Sequence, residues 1–266
     1  MATFPLALSL AGAAAGTAYS HARLSLDHDL LFFRIVGSTA LNLIRAVRAD
    51  QLNLFYLLEK QAKTKSLANK PFILFEGKSH TYAETYDRVL RYGTWLREKL
   101  GVREKDIIAL EYQNSDTFVF LWFAIWAVGA TPAFINYHLQ GEALAHCLKT
   151  SDARLAVVDP RVAGNITDEV KGAVPGMRFV VFTPDVEAEA GRMTPTRYMN
   201  EVRSEDSYVG MAILIYTSGT TGMPKPAVVS WGKIYMAGMM TAKGTMMTCE
   251  DVFYTVGSLS HLGVSV

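Results

Sequence analysis

"LIYTSGTTGMPKPA", residues Leu214 to Ala227, joins a β-prone run to a loop almost without hydrophobic side chains. Ile213, Leu214, Ile215 and Tyr216 have no helical period and predict a short strand buried on both faces. In the loop, Gly219 and Gly222 lack a Cβ, so backbone N–H groups can come close to a ligand and positive φ carries no steric penalty. Thr217, Ser218, Thr220 and Thr221 supply hydroxyl donors, and Lys225 supplies a compact positive charge. These residue types suit a polyphosphate. The spacing is not that of a Walker A loop, because two residues separate Gly219 from Gly222 where that pattern needs four, followed by Gly-Lys-Ser/Thr. Pro224 and Pro226 flank Lys225 and exclude a helix with that lysine in its first turns. The bland alternative is an ordinary Ser/Thr/Gly turn, against which the hydroxyl density and the Pro-Lys-Pro ending both weigh.

Outward from this stretch, strands alternate with helices. "PFILFEGKSHTYAE" reads as two short strands around a Glu76-Gly77 turn. Thr81 and Glu84 then form a capping box that starts a helix reaching about Leu100, with Tyr86, Val89, Leu90 and Leu96 on its apolar face. Strands are predicted at Ile107 to Tyr112, Ala133 to Ile135, Arg154 to Val158 and Arg178 to Phe182, and helices at Asp116 to Val128 and Gly141 to Thr150. The expected class is α/β with a largely parallel sheet. In such sheets ligands bind beyond the carboxyl ends of the strands, which is where the Thr217 to Gly222 loop falls. The polar stretch Thr183 to Ser207 reads as an exposed connection of low structural content.

Half the residues are hydrophobic and the formal net charge is +1, with no basic stripe, so nucleic acid is not an expected partner. Cys147 and Cys249 lack metal spacing and imply a reduced compartment without structural zinc. His138 and His146 are placed on one helix face at i and i+8, but no carboxylate or cysteine completes a metal set. Ser218 lies in Thr-Ser-Gly, not in the Gly-x-Ser-x-Gly elbow of a hydrolase. No catalytic nucleophile and no metal site are assigned. In "WGKIYMAGMMTAKGTMM" the methionines read as core packing, with the wall of a pocket for a long apolar chain as the alternative.

The N-terminus differs from the rest. Phe4 to Tyr19 is an uncharged run rich in alanine and leucine, shorter than the roughly 20 residues of a spanning helix and without a preceding basic residue as in a signal peptide. Leu30 to Arg48 is apolar with three arginines and suits an amphipathic helix on a membrane surface. Residues 1–48 are therefore read as a membrane-associating segment and residues 49–266 as the α/β domain, the alternative being that both runs pack on the domain as core helices.

Residues Ile215 to Lys225 resemble, position for position, the phosphate-loop motif of the AMP-forming acyl-CoA synthetases of the adenylate-forming superfamily. "FILFEGKSHTYAETYDRVLRYGTWLREKLGV" (Phe72 to Val102), "NSDTFVFLWFAIWAVGATPAFIN" (Asn114 to Asn136) and "KPAVVSWGK" (Lys225 to Lys233) resemble the fatty acid transport protein branch, the very-long-chain acyl-CoA synthetases, and particularly its fungal members. The resemblance runs from about Asp50 to Thr255. It implies the N-terminal domain of an adenylate-forming enzyme, with Tyr216, Thr217, Ser218, Gly219, Thr220, Thr221, Gly222 and Lys225 around the β- and γ-phosphates of ATP. It also implies magnesium and coenzyme A, a fatty acid substrate activated as an acyl-adenylate and then captured as a thioester, and an intracellular membrane such as endoplasmic reticulum, lipid droplet or peroxisome.

The chain departs from the branch after Thr255. Relatives continue with a Cys-Met-Pro-Leu-Tyr-His type segment, of which "FYTVGSLSHLGVSV" keeps Leu259 and His261, the latter a weak pocket candidate. The expectation is a truncated domain, inactive alone, with an exposed sheet edge open to self-association. Two other readings stand beside this one: a non-catalytic lipid-handling or scaffold protein, and an adenylating enzyme for a different carboxylic acid.

Overall fold

The computed structural model describes residues 3–24, 26–204, 208–217, 222–255 and 257–259, with the backbone alone for 3–10, 26 and 27. The chain opens with helices α1 (Thr3–Leu24), α2 (Leu26–Arg48) and α3 (Phe55–Lys63). A hairpin of β1 (Pro71–Phe75) and β2 (Lys78–Thr81) follows, turned at Glu76 and Gly77, both with positive φ. The capping box is present: Glu84 N donates to Thr81 Oγ1 at 3.2 Å and Thr81 N donates to Glu84 Oε2 at 2.9 Å, starting α4 (Tyr82–Glu98).

The main sheet is then laid down as β3 (Ile107–Glu111), α5 (Asp116–Ala127), β4 (Thr131–Ile135), α6 (Gly141–Thr150), β5 (Leu155–Val158), α7 (Asp168–Ala173), β6 (Arg178–Val181), α8 (Pro184–Gly191), β7 (Met211–Thr217), β8 (Lys225–Ser230) and α9 (Trp231–Gly244). Its spatial order is β6-β5-β3-β4-β7-β8, parallel throughout except for β8, which runs antiparallel to β7. This is the largely parallel α/β sheet expected from the sequence.

Period-2 alternation sorts the strands between two cores. Ile108 and Leu110 of β3 and Ile213 and Ile215 of β7 face the core built with α3, α4, α5 and α9. Ala109 of β3 and Leu214 and Tyr216 of β7 face the core shared with α6 and α7. Helix α5 braces β7 directly, because the Trp126 indole N–H donates to the Ala212 carbonyl at 2.9 Å.

Several expectations need correction. The stretch Thr183 to Ser207 is not a structureless connection: it carries α8, capped by Thr183, and a 3-10 turn at Asn200–Arg203. Arg203 is 1% exposed, its Nη1 donating to the Ala127 carbonyl at 2.6 Å and its Nη2 to the Tyr198 carbonyl at 2.8 Å, with the guanidinium 4.7 Å from the Phe55 ring centre. A guanidinium can be buried when backbone carbonyls and aromatic faces replace its water, and a sequence alone does not display that arrangement. The same turn crosses Gly129 so closely that a Cβ there would lie 1.6 Å from the Val202 carbonyl oxygen, at φ +77°. His138 lies ahead of α6, its N–H bonded to Asn136 Oδ1, so it shares no helix face with His146. Of the methionines after Trp231, Met239 packs on the main core, whereas Met246 lies beyond the helix and is exposed. Helices α3 and α7 were not anticipated, being too short for a clear period.

Candidate functional site

Strand β7 is buried over Ala212 to Tyr216 and runs parallel to β4, so its end at Thr217 lies at the carboxyl edge of the sheet. There the chain leaves the sheet and returns as β8, with Thr217 opposite Lys225 and Tyr216 opposite Pro226. The two ends of the loop are thereby held in register. Thr217 Oγ1 donates to the Lys225 carbonyl at 3.4 Å, and Gly222 has φ +96°, a left-handed conformation that glycine adopts without strain. Pro224 cannot donate, but its carbonyl accepts from His146 Nε2 at 3.1 Å, tying the returning strand to α6. The Lys225 side chain is exposed and makes no ion pair among the described residues. Ser218, Gly219, Thr220, Thr221 and His261 lie outside the described residues.

Tyr216 has a separate job. It is 7% exposed, and its hydroxyl donates to the Cys147 carbonyl at 2.6 Å with Thr150 Oγ1 3.2 Å away. Burial pushes its pKa up to about 12, so it stays a neutral donor. The side chain is thus engaged with the end of α6, fixing the strand that enters the loop. Cys147 is buried behind it, its thiol pushed up to about 12 by burial, which keeps it unreactive.

The neighbouring strands bring a polar cluster to the same edge that residue-by-residue reading missed. Glu111 ends β3 and Asp159 follows β5; both are buried. Asn165 Nδ2 donates to Glu111 Oε1 and to the Tyr137 carbonyl, both at 3.1 Å, and Arg161 donates to Asp159. Burial pushes the Glu111 carboxyl up to about 7; the Asn165 hydrogen bond opposes this and the Asp159 charge adds to it. A lone acid closing the apolar run "IIALE" was the available signal. From the far end of the chain, Asn114 at the turn into α5 donates to the Gly257 carbonyl at 2.8 Å and accepts from Leu259 N at 2.9 Å. Leu259, read from sequence as matching the branch, is therefore held at the β3 to α5 turn. Among the described residues no group of three or more His, Cys, Asp or Glu is arranged to hold a metal ion.

The profile of the AMP-binding enzyme family matches residues 58–263. The very long-chain fatty acid transport protein of Cochliobolus heterostrophus is 32% identical over 97% of this chain and 40% of its own length. The protein of the same name from Saccharomyces cerevisiae is 32% identical over 81% of this chain and 34% of its own. Among solved structures, the O-succinylbenzoate CoA synthetase of Bacillus subtilis in complex with its acyl-adenylate intermediate superposes with a TM-score of 0.65, at 20% identity, over 78% of this chain and 50% of that one. Its complex with ATP and magnesium ion gives 0.64, also at 20% identity, over 78% and 40%. That likeness identifies the fold as the N-terminal domain fold of adenylate-forming enzymes. The chain spans about 40% of the length of the first of these relatives. With its family profile matched over most of its length, the chain belongs to the AMP-binding enzyme family.

Proposed function

We propose that the chain is the phosphate-holding part of an ATP-dependent fatty acid–CoA ligase. The loop from Thr217 to Lys225 grips the β- and γ-phosphates of ATP while a long- or very-long-chain carboxylate attacks the α-phosphate. The observation that carries this reading is the hairpin itself: a hydroxyl- and glycine-rich loop, fixed at both ends at the carboxyl edge of a parallel sheet, with one exposed lysine outside any described ion pair. Attack of a carboxylate on a polyphosphate brings two anions together, so a cation and oriented N–H groups at the leaving pyrophosphate lower the barrier. In this account Lys225 neutralises charge, Gly219 and Gly222 let the backbone approach, and the hydroxyls of Thr217, Ser218, Thr220 and Thr221 orient the oxygens; none of these groups is a nucleophile. Tyr216 fixes the entry to the loop.

Magnesium would arrive on the nucleotide, as no described cluster would hold it alone. The chemistry it supplies is charge neutralisation on the phosphates. Coenzyme A, the second substrate, would take up the activated acyl group as a thioester. The fatty acid assignment rests on the named relatives. Residues 1–48 are proposed to attach the protein to an intracellular membrane: helix 28–48 is long and apolar enough to cross one, and most of it is exposed.

The test is fatty-acid-dependent exchange of pyrophosphate into ATP by the longest polypeptide expressed from the gene, against a panel of carboxylates. Exchange with long-chain fatty acids supports the proposal. Exchange only with an unrelated acid moves the protein to another substrate class, and ATP binding without exchange for any acid points to a lipid-handling role.

A further inference from the structure

Helix α2 has two unlike sides. Its inner side is committed to the domain: Thr39 is fully buried, Ala46 nearly so, Leu43 packs on the main core, and Ser38 Oγ accepts from Lys243 Nζ of α9 at 2.8 Å. Successive residues turn by about 100°, so the side opposite Thr39 and Ala46 carries Leu30, Phe33, Leu41 and Ile44. All four are exposed, Phe33 at 69%. Arg34, Arg45 and Arg48 lie on this same outward side, also exposed, and no acidic residue occurs from Leu30 to Ala49.

Arg45 also borders a recess of about 610 Å³ between α2, α3 and α9, and Lys60 and Lys63 of α3 stand on its rim. The one acid there, Glu59, is already paired with Arg197 and Lys63. The helix is long and apolar enough to span a bilayer, yet spanning would strip Thr39, Leu43 and Ala46 from the core and carry Arg34 into hydrocarbon, at a cost of several kcal/mol.

We infer that α2 lies in the plane of a bilayer surface while remaining part of the folded domain. Its outer apolar residues enter the acyl boundary, and Arg34, Arg45 and Arg48, extended by Lys60, meet the headgroups of anionic phospholipids. The inference rests on the membrane attachment proposed above and adds to it an orientation and a lipid class. Apolar burial supplies binding to any bilayer, and the cationic row adds preference for negative ones.

The experiment is flotation of the 266-residue chain with vesicles of phosphatidylcholine alone, or with about a third phosphatidylserine, the four cations together being expected to favour the latter by a hundredfold or more at low salt. The variant Arg34→Gln/Arg45→Gln/Arg48→Gln changes exposed positions only. It should lose about a hundredfold on the anionic vesicles and bind the neutral ones like the parent. Bound parent chain should be released by alkaline carbonate. Absence of binding to either vesicle overturns the membrane attachment itself. Equal binding to both, unaltered in the triple variant, overturns the lipid preference alone, and resistance to carbonate overturns the in-plane placement.

Discussion

The hydroxyl of Tyr216 donates to the carbonyl of Cys147 at 2.6 Å, joining the strand that enters the Thr217 to Lys225 loop to the last turns of α6. Both residues are buried, so the bond is made out of competition with water. Replacing Tyr216 by Phe keeps the ring and removes only the hydroxyl, with its bond to the Cys147 carbonyl and its contact with Thr150 Oγ1. We expect a loss of about 1 kcal/mol in unfolding free energy by denaturant titration, with ATP affinity changed less than about threefold. A large loss of affinity without loss of stability would mean that the hydroxyl faces the nucleotide.

Most of the framework was legible because the hydrophobic period and local punctuation agree. The Thr81 and Glu84 pair stops one element and starts the next, and the run Ile213 to Tyr216 has no reading except a doubly buried strand. What escaped depends on contacts between distant parts of the chain. The run Thr183 to Ser207 looks solvated because charges normally are, but Arg203 finds the carbonyl of Ala127, 76 residues away in sequence. The residue types of the loop carry the expectation of phosphate binding, and the pairing of β7 with β8 that holds its ends follows from the β-prone runs on either side. The acid pair at the same sheet edge was not legible, since Glu111 and Asp159 are brought together only by the β5-β3 pairing.

Arg203 should therefore carry structural weight. The variant Arg203→Met fills similar volume but leaves the Ala127 carbonyl without its donor and takes one of two donors from the Tyr198 carbonyl, the other being Arg197 Nη1 at 3.1 Å. About 2–4 kcal/mol of stability should be lost, read from the urea midpoint. A change below about 0.5 kcal/mol would place Arg203 on the surface in solution.

Glu111 gives the stability a pH slope of known sign. Its folded pKa of about 7 lies above the ordinary 4.5, so the native state holds a proton that the unfolded chain releases. That contribution is fully present below pH 4.5 and is lost as pH rises through 7, amounting to about 3 kcal/mol at most. Glu59 acts in another window. Burial alone would raise its pKa, but the hydrogen bonds from Arg197, Lys63 and Tyr86 outweigh burial and bring it to about 2, so its contribution is lost only as pH falls from 4.5 toward 2. Thermal melts of Glu111→Gln should show a flatter dependence between pH 5 and 8 than the parent and a higher midpoint at pH 8. Parallel curves would show that Glu111 is ionised and hydrated in the native state.

A further expectation concerns the chain by itself. The described residues supply the two ends of the loop proposed to hold the phosphates, whereas thioester formation needs nucleotide, carboxylate and thiol held in one geometry, where a misplacement of about 1 Å costs on the order of a hundredfold. Incubated with ATP, magnesium, a long-chain fatty acid and coenzyme A, residues 1–266 should give no thioester above blank. Turnover comparable with that of a synthetase of the relatives' length would contradict this.

The central claim, that the Thr217 to Lys225 loop holds the phosphates of ATP, is tested most directly by an equilibrium titration of ATP into the chain, with Lys225→Ala alongside. A charge-assisted bond to phosphate is worth about 1.5–3 kcal/mol, so the variant should bind roughly tenfold or more weakly while unfolding at the same denaturant concentration. Saturable binding by the parent, weakened in the variant by that factor, is the predicted result; no saturable binding, or equal affinities for the two proteins, would contradict it.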